Sequence, residues 1–383
     1  MDEAFRSTVT RRRFVALLGL GAGASLLAAC APTPPPPKPA EAPKPAPPAA
    51  SPAASPSPAA SPAAAAPAAA APAVEQTEAG PTDIPHGLSL TWYGHVPTMV
   101  ALEKGFFKEV GLNVELVSIV TSADRMLALT SGSLQWSNLG SAATLAEMAK
   151  KNESFYWIGN IDDSPGNNGL VVQPGISDYA GLKGKKVAVT LNSDAEIILY
   201  QLLEMNGLKA NDIELVPMKA NEMTAAFTNK SIDAYDVWEP TLSDALKAVP
   251  GAKMLGNEKD TAIFKKNGTQ VAPDVVVIRR ELVDKYPETT RKLLGALFKG
   301  VDLVKNSPDE AAGIVAEKYF KKSKEETLAG MKTFQYFGGR DQGDRLKRLL
   351  GTFNDVIEWQ AANKRIDDKP DPAKWMRADV VPG

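Results

Sequence analysis

Eight short runs rich in β-branched and aromatic residues, at 88–93, 114–120, 134–138, 156–161, 187–191, 213–218, 234–238 and 275–278, alternate with stretches of helical periodicity in this 383-residue chain. Alternation of that kind confines a chain to βαβ units, so it predicts an α/β fold built on largely parallel sheets flanked by helices. Helix ends are signalled by Pro97 in a first turn, by Ser122 and Ser141 at N-termini, and by Gly111 and Gly207 just past C-termini. Beyond Arg279 the pattern is almost wholly helical, and Leu346, Leu349, Leu350, Phe353, Val356, Ile357 and Trp359 predict one helix over 344–364. No repeat of fixed period is present. The stretch from His86 onward is long enough for more than one core.

The N-terminal quarter obeys different rules. Cys30 is the only cysteine, and it follows Leu27-Ala28-Ala29, a short apolar run and the charged head Arg11-Arg12-Arg13. This arrangement resembles a bacterial lipoprotein signal with a twin-arginine header, which implies that 1–29 are removed and that Cys30 is the lipid anchor. The apolar run falls short of the roughly 20 residues that a spanning helix needs. From Ala31 to Ala73 the chain holds 16 of its 30 prolines and 19 alanines, so 30–85 predicts an extended stalk that buries no core. The protein is then expected at the cell membrane, lipid-anchored and facing the extracytoplasmic side.

Charge and residue supply exclude several classes. Without its signal the chain carries 39 basic and 43 acidic residues, with no basic stripe, so no nucleic acid partner is expected. One cysteine and two histidines leave no thiol nucleophile and no usual zinc set, so neither a metal nor a cofactor is expected. Gly19-Leu20-Gly21-Ala22-Gly23 lies inside the signal, with no strand before it and no acidic residue placed for a ribose, and is no dinucleotide site.

Four motifs then point one way: Met99-Val100-Ala101-Leu102-Glu103-Lys104-Gly105-Phe106-Phe107, the turn and strand over 128–139, Leu182-Lys183-Gly184-Lys185-Lys186-Val187-Ala188-Val189, and Asp233-Ala234-Tyr235-Asp236-Val237-Trp238-Glu239-Pro240. In this order they resemble the substrate-binding proteins of ABC importers for nitrate, sulfonates, taurine and vitamins, a superfamily that also holds the thiamine-pyrimidine synthases. The resemblance implies a two-lobe periplasmic binding protein fold of type II. Lobe one would be 86–176 with 274–383 and lobe two 178–272, with crossings near 174–183 and 270–276. It also implies a small-molecule ligand, a partner permease with its ATPase, a monomer and no enzymatic activity.

Ligands of open α/β sheets sit beyond the carboxyl ends of strands, where helix N-termini offer free N–H groups. The candidate ligand-binding residues are accordingly Trp92, Tyr93, His95, Thr121, Ser122, Ser137, Asn138, Asp162, Asp163 and Asn168 on one side, with Asn192, Ser193, Asp194, Asp236, Trp238 and Glu239 on the other. Helix capping explains the serines and Asp194 equally well, and core packing explains Trp92 and Trp238. Aromatics, amides and carboxylates, with Arg125 and Lys219 the nearest cations, suit a flat hydrogen-bonding heterocycle. Within the family that means riboflavin or a thiamine-type pyrimidine. A taurine, alkanesulfonate, nitrate or bicarbonate ligand is the first alternative, and a thiamine-pyrimidine-synthase-like enzyme is the second.

Overall fold

The computed structural model describes residues 80–382. The signal, the Cys30 anchor and nearly all of the stalk therefore lie outside the described residues. Twelve strands follow in order: β1 (His86–Leu88), β2 (Leu116–Ser118), β3 (Trp136–Gly140), β4 (Phe155–Gly159), β5 (Asp162–Asp163), β6 (Asn168–Val172), β7 (Lys186–Val189), β8 (Glu214–Pro217), β9 (Ala234–Trp238), β10 (Lys253–Asn257), β11 (Asp274–Arg279) and β12 (Gln335–Tyr336).

Two five-stranded sheets result, ordered β2-β1-β3-β11-β4 and β10-β6-β9-β7-β8. In the first, β1 is parallel to β2 and β3, and β11 is antiparallel to both β3 and β4. Four of its five strands thus share one direction. The second repeats the plan, with β6 reversed between β9 and β10. Strands β3, β4, β6 and β9 are buried along their whole length, including the polar Ser137, Asn138, Asn168 and Asp236. The first sheet defines lobe one and the second defines lobe two.

Two sequence expectations need correction. The run at 88–93 is not one strand: β1 stops at Leu88, and Tyr93–His95 is a 3-10 turn leading into helix Val96–Glu103. Strand β6 belongs to lobe two, so the first crossing runs through 160–167 rather than 174–183, and 168–176 leave lobe one. The second connection, 268–273, leads from helix Ala262–Asn267 into β11.

After β11 the chain is helical apart from β12, which pairs with β5. Helix Gln342–Ala362 buries Leu346, Leu349, Phe353, Val356 and Ile357, and Phe353 packs against Trp157 of lobe one with ring centroids 5.0 Å apart. No helix among the described residues is long and apolar enough to cross a membrane.

Candidate ligand cleft between the lobes

Lobe one presents the strand ends of β1, β2 and β11, and lobe two presents those of β7 and β9. Where they meet is a small cavity of about 20 Å³ lined by Ser89, Trp92, His95, Val120, Ser122, Arg125 and Asp274 of lobe one and by Asp194 and Trp238 of lobe two. That is room for about one water molecule. The Trp238 Nε1–H donates across the gap to Thr91 Oγ1 at 3.3 Å.

The turn after β1 carries much of this wall. The Trp92 Nε1–H donates to Asp162 Oδ2 at 3.2 Å. Gly94 sits so close that a Cβ there would lie 2.3 Å from Trp92 Nε1 and 2.4 Å from Asp162 Oδ2, so this turn admits only glycine. His95 Nε2 meets Asp274 Oδ2 at 2.6 Å, while its Nδ1 lies 3.1 Å from the Ser89 N–H and 2.8 Å from the Ser89 carbonyl.

Helix Ser122–Thr130 brings in the cation. Arg125, in the first turn, folds back so that Nη1 donates to the Ile119 and Val120 carbonyls at 2.7 and 2.9 Å, and Nη2 to Ser122 Oγ at 3.1 Å. Its Nε–H has no partner. Burial lowers the Arg125 pKa to about 10, against the raising pull of Asp274, Asp194 and Asp124.

Carboxylates surround this guanidinium. Burial, then the Asp274 charge, pushes Asp194 up to about 7, although Asn168 donates to it. Asp162 is raised well above the ordinary carboxylate range by burial, Asp274 and Asp163, with the Trp92 bond opposing. Asp236 is likewise raised by burial and by Asp194 and Glu258, and neither of its oxygens has a partner.

The expected residues therefore divide. Trp92, His95, Ser122, Asp194 and Trp238 line the cavity, and Asp162 and Asn168 stand directly behind it. Thr121 and Ser193 cap helices, accepting from Asp124 N–H and Glu196 N–H. Ser137 donates to the Gly87 carbonyl inside the sheet, and Asn138 accepts from Thr98. Asp163 pairs with Arg345 at 3.1 Å between the lobes. Tyr93 and Glu239 line a separate interlobe cavity of about 240 Å³ with Lys247 and Lys322. Asn192, at φ 55°, borders two further grooves of about 600 and 260 Å³ that are also lined from both lobes. Ser89, Val120, Arg125 and Asp274 complete the wall without being among the candidate ligand-binding residues, although the sequence marks Arg125 as a nearby cation. Among the described residues no group of three or more His, Cys, Asp or Glu could hold a metal ion.

The comparisons agree with this architecture. Residues 92–311 match the family model described as NMT1/THI5 like. A protein of Bacillus subtilis (strain 168) named for aliphatic sulfonate binding is 30% identical over 228 residues, covering 58% of this chain and 66% of that protein. The taurine-binding periplasmic protein of Escherichia coli (strain K12) is 30% identical over 200 residues, covering 51% and 59%. The chain thus spans 66% and 59% of the lengths of these two relatives. Among solved structures, the alkanesulfonate-binding protein SsuA from Xanthomonas axonopodis pv. citri bound to MOPS superposes with a TM-score of 0.65 at 16% identity, over 78% of this chain and 99% of that one. The shared fold is that of the periplasmic binding proteins, and by its family match over more than half its length this chain belongs to the NMT1/THI5-like family.

Proposed function

We propose that this protein is the extracytoplasmic receptor of an ABC importer, a monomer anchored through a lipid on Cys30 after twin-arginine export, which closes two lobes on a small organic ligand and delivers it to a permease and its ATPase. The observation that carries the reading is the small cavity whose walls come from both lobes, bridged by the Trp238–Thr91 hydrogen bond. A receptor fits better than a synthase because the relatives include proteins named for aliphatic sulfonate and taurine binding.

Two indoles and several buried carboxylates favour a flat nitrogen heterocycle bearing N–H donors, of the riboflavin or aminopyrimidine kind. Its ring would lie against Trp92 and Trp238, and its N–H groups would reach Asp194 and Asp274. Arg125 favours a second reading, an aminosulfonate such as taurine. The sulfonate would meet the unpartnered Nε–H and Ser122, and the ammonium would meet Asp194.

Thermal denaturation of the full chain carrying Cys30→Ser, in the presence of riboflavin, thiamine pyrimidines, taurine, alkanesulfonates, nitrate and bicarbonate, tests both. A ligand at 100 times its Kd adds about 2.7 kcal/mol, a rise of roughly 5 °C for a domain of this size. A rise with a heterocycle supports the first reading and one with taurine the second. A flat response to the whole panel counts against the receptor.

A further inference from the structure

The segments that join the lobes, 160–167 and 268–273, are tied to each other by buried ionisable groups. Asp163 in the first accepts from the Thr269 hydroxyl at 2.6 Å and from the Gln270 N–H at 3.2 Å in the second. Glu258, just past β10 in lobe two, answers from the other side. One of its oxygens takes the Gly166 N–H at 3.3 Å and the other the Val271 N–H at 2.6 Å.

Arg345 of helix Gln342–Ala362 completes the knot. It donates to Asp163 at 3.1 Å and through two nitrogens to Asn160 Oδ1 at 3.0 and 2.7 Å, with its guanidinium 3.9 Å from the Phe337 ring centre. Asn160 Nδ2 then donates to the carbonyls of Asp162 and Asp274. Asn160, Asp163, Glu258 and Arg345 are all at least nine-tenths buried. Buried pairs of this kind add little net stability over apolar packing.

None of these four residues lines the cavity, yet their neighbours hold its walls: Asp162 bonds Trp92, and Asp274 bonds His95. We propose that Asp163, Glu258 and Arg345 are positioning residues that rivet the two crossing segments into one pivot, setting how far the lobes open and passing that angle to the cavity through Asp162 and Asp274. Asp163 ties the first segment to the Thr269 hydroxyl and Gln270 N–H of the second, and Glu258 grips a backbone N–H of each, so the segments turn together and cannot slide past one another. The proposal rests on the receptor reading in that it gives the lobes a closing motion.

The test uses the ligand-free full chain with Cys30→Ser, leaving introduced cysteines at the exposed Leu127 of lobe one and Met205 of lobe two as the only thiols. Spin labels at both sites report the distribution of interlobe distances by pulsed paramagnetic resonance. Arg345→Met and Glu258→Gln should at least double the width of the wild-type distribution, and Arg345→Lys should restore much of it. Arg377→Met, which loses a surface pair with Asp284 and Asp379, should leave it unchanged. A wild-type width in Arg345→Met, with only the melting temperature lowered, overturns the pivot. If that variant does not fold, Thr269→Val, which removes one neutral bond to Asp163, decides in the same way. Broadening supports the pivot even when no ligand of the panel shifts the wild-type distance, a result that would count against the receptor alone.

Discussion

Lobe one and lobe two share a strand order and differ in what they bring to the cavity. In lobe one the reversed strand, β11, arrives last, after the chain has built the whole of lobe two; in lobe two the reversed strand, β6, comes first. Lobe one supplies Ser89, Trp92, His95, Ser122, Arg125 and Asp274, whereas lobe two adds Asp194 and Trp238. Most of the polar groups therefore sit on the lobe that carries the helical C-terminal part. On the proposed function, lobe one would recognise the ligand and lobe two would cover it.

That asymmetry makes unequal effects on binding the strongest test. Trp92→Ala should weaken the ligand found in the thermal screen by roughly 30- to 100-fold, and Trp238→Ala by about tenfold, measured by calorimetry. Equal losses would break the comparison, and retained affinity in the double variant would remove both tryptophans from the site.

Proton linkage gives the next effect. With Asp194 raised to about 7, only a minority of molecules carry its charge at pH 6 and most do at pH 8. A ligand whose cationic or N–H group meets this carboxylate should bind about tenfold more tightly at pH 8 than at pH 6, with a proton released on binding. Affinity that is flat with pH would place the donor group elsewhere.

The same group sets a stability trend of known sign. Its folded pKa lies above the ordinary unfolded value near 3.9, so between about pH 4 and pH 7 the folded chain keeps a proton that the unfolded chain has lost. Stability from this site falls as pH rises through that window. Asp194→Asn should melt no differently from wild type at pH 4 and several degrees higher at pH 7 to 8 by calorimetry; the reverse order would mean that the carboxylate is held charged.

Smallest are the rim pairs between the lobes, Lys322–Asp244 at 2.7 Å and Lys247–Glu326 at 3.1 Å. Replacing either lysine by alanine should cost less than about 1 kcal/mol in chemical denaturation, and less still in high salt.

Legibility in the sequence followed how local each feature is. Strand β9 occupies the expected 234–238, because an apolar run buried on both faces reads the same wherever it lies. Residues 88–93 misled because Leu90, Trp92 and Tyr93 have strand-like propensity, while the chain there must turn into helix Val96–Glu103. Strand β6 was hidden behind Ser164-Pro165-Gly166-Asn167-Asn168-Gly169, which reads as a loop, although Asn168 and Gly169 pair with Trp238 and Val237. Arg125 could be named as a nearby cation, but not as a wall of the cavity, since that depends on how its side chain folds back onto 119–122.

Alternating apolar runs and helix-end residues by themselves determined the α/β class, the C-terminal helix and the turns where polar groups gather, because periodicity and capping act over a few residues. Which of those turns face one another was decided only by the tertiary structure. Asp274 stands 179 residues from His95 and 80 from Asp194, and burial among such distant partners is what shifts the carboxylates. Contacts of that span have no local signature, so the cavity, its charge and the pivot beneath it exist only once the two sheets are folded and closed.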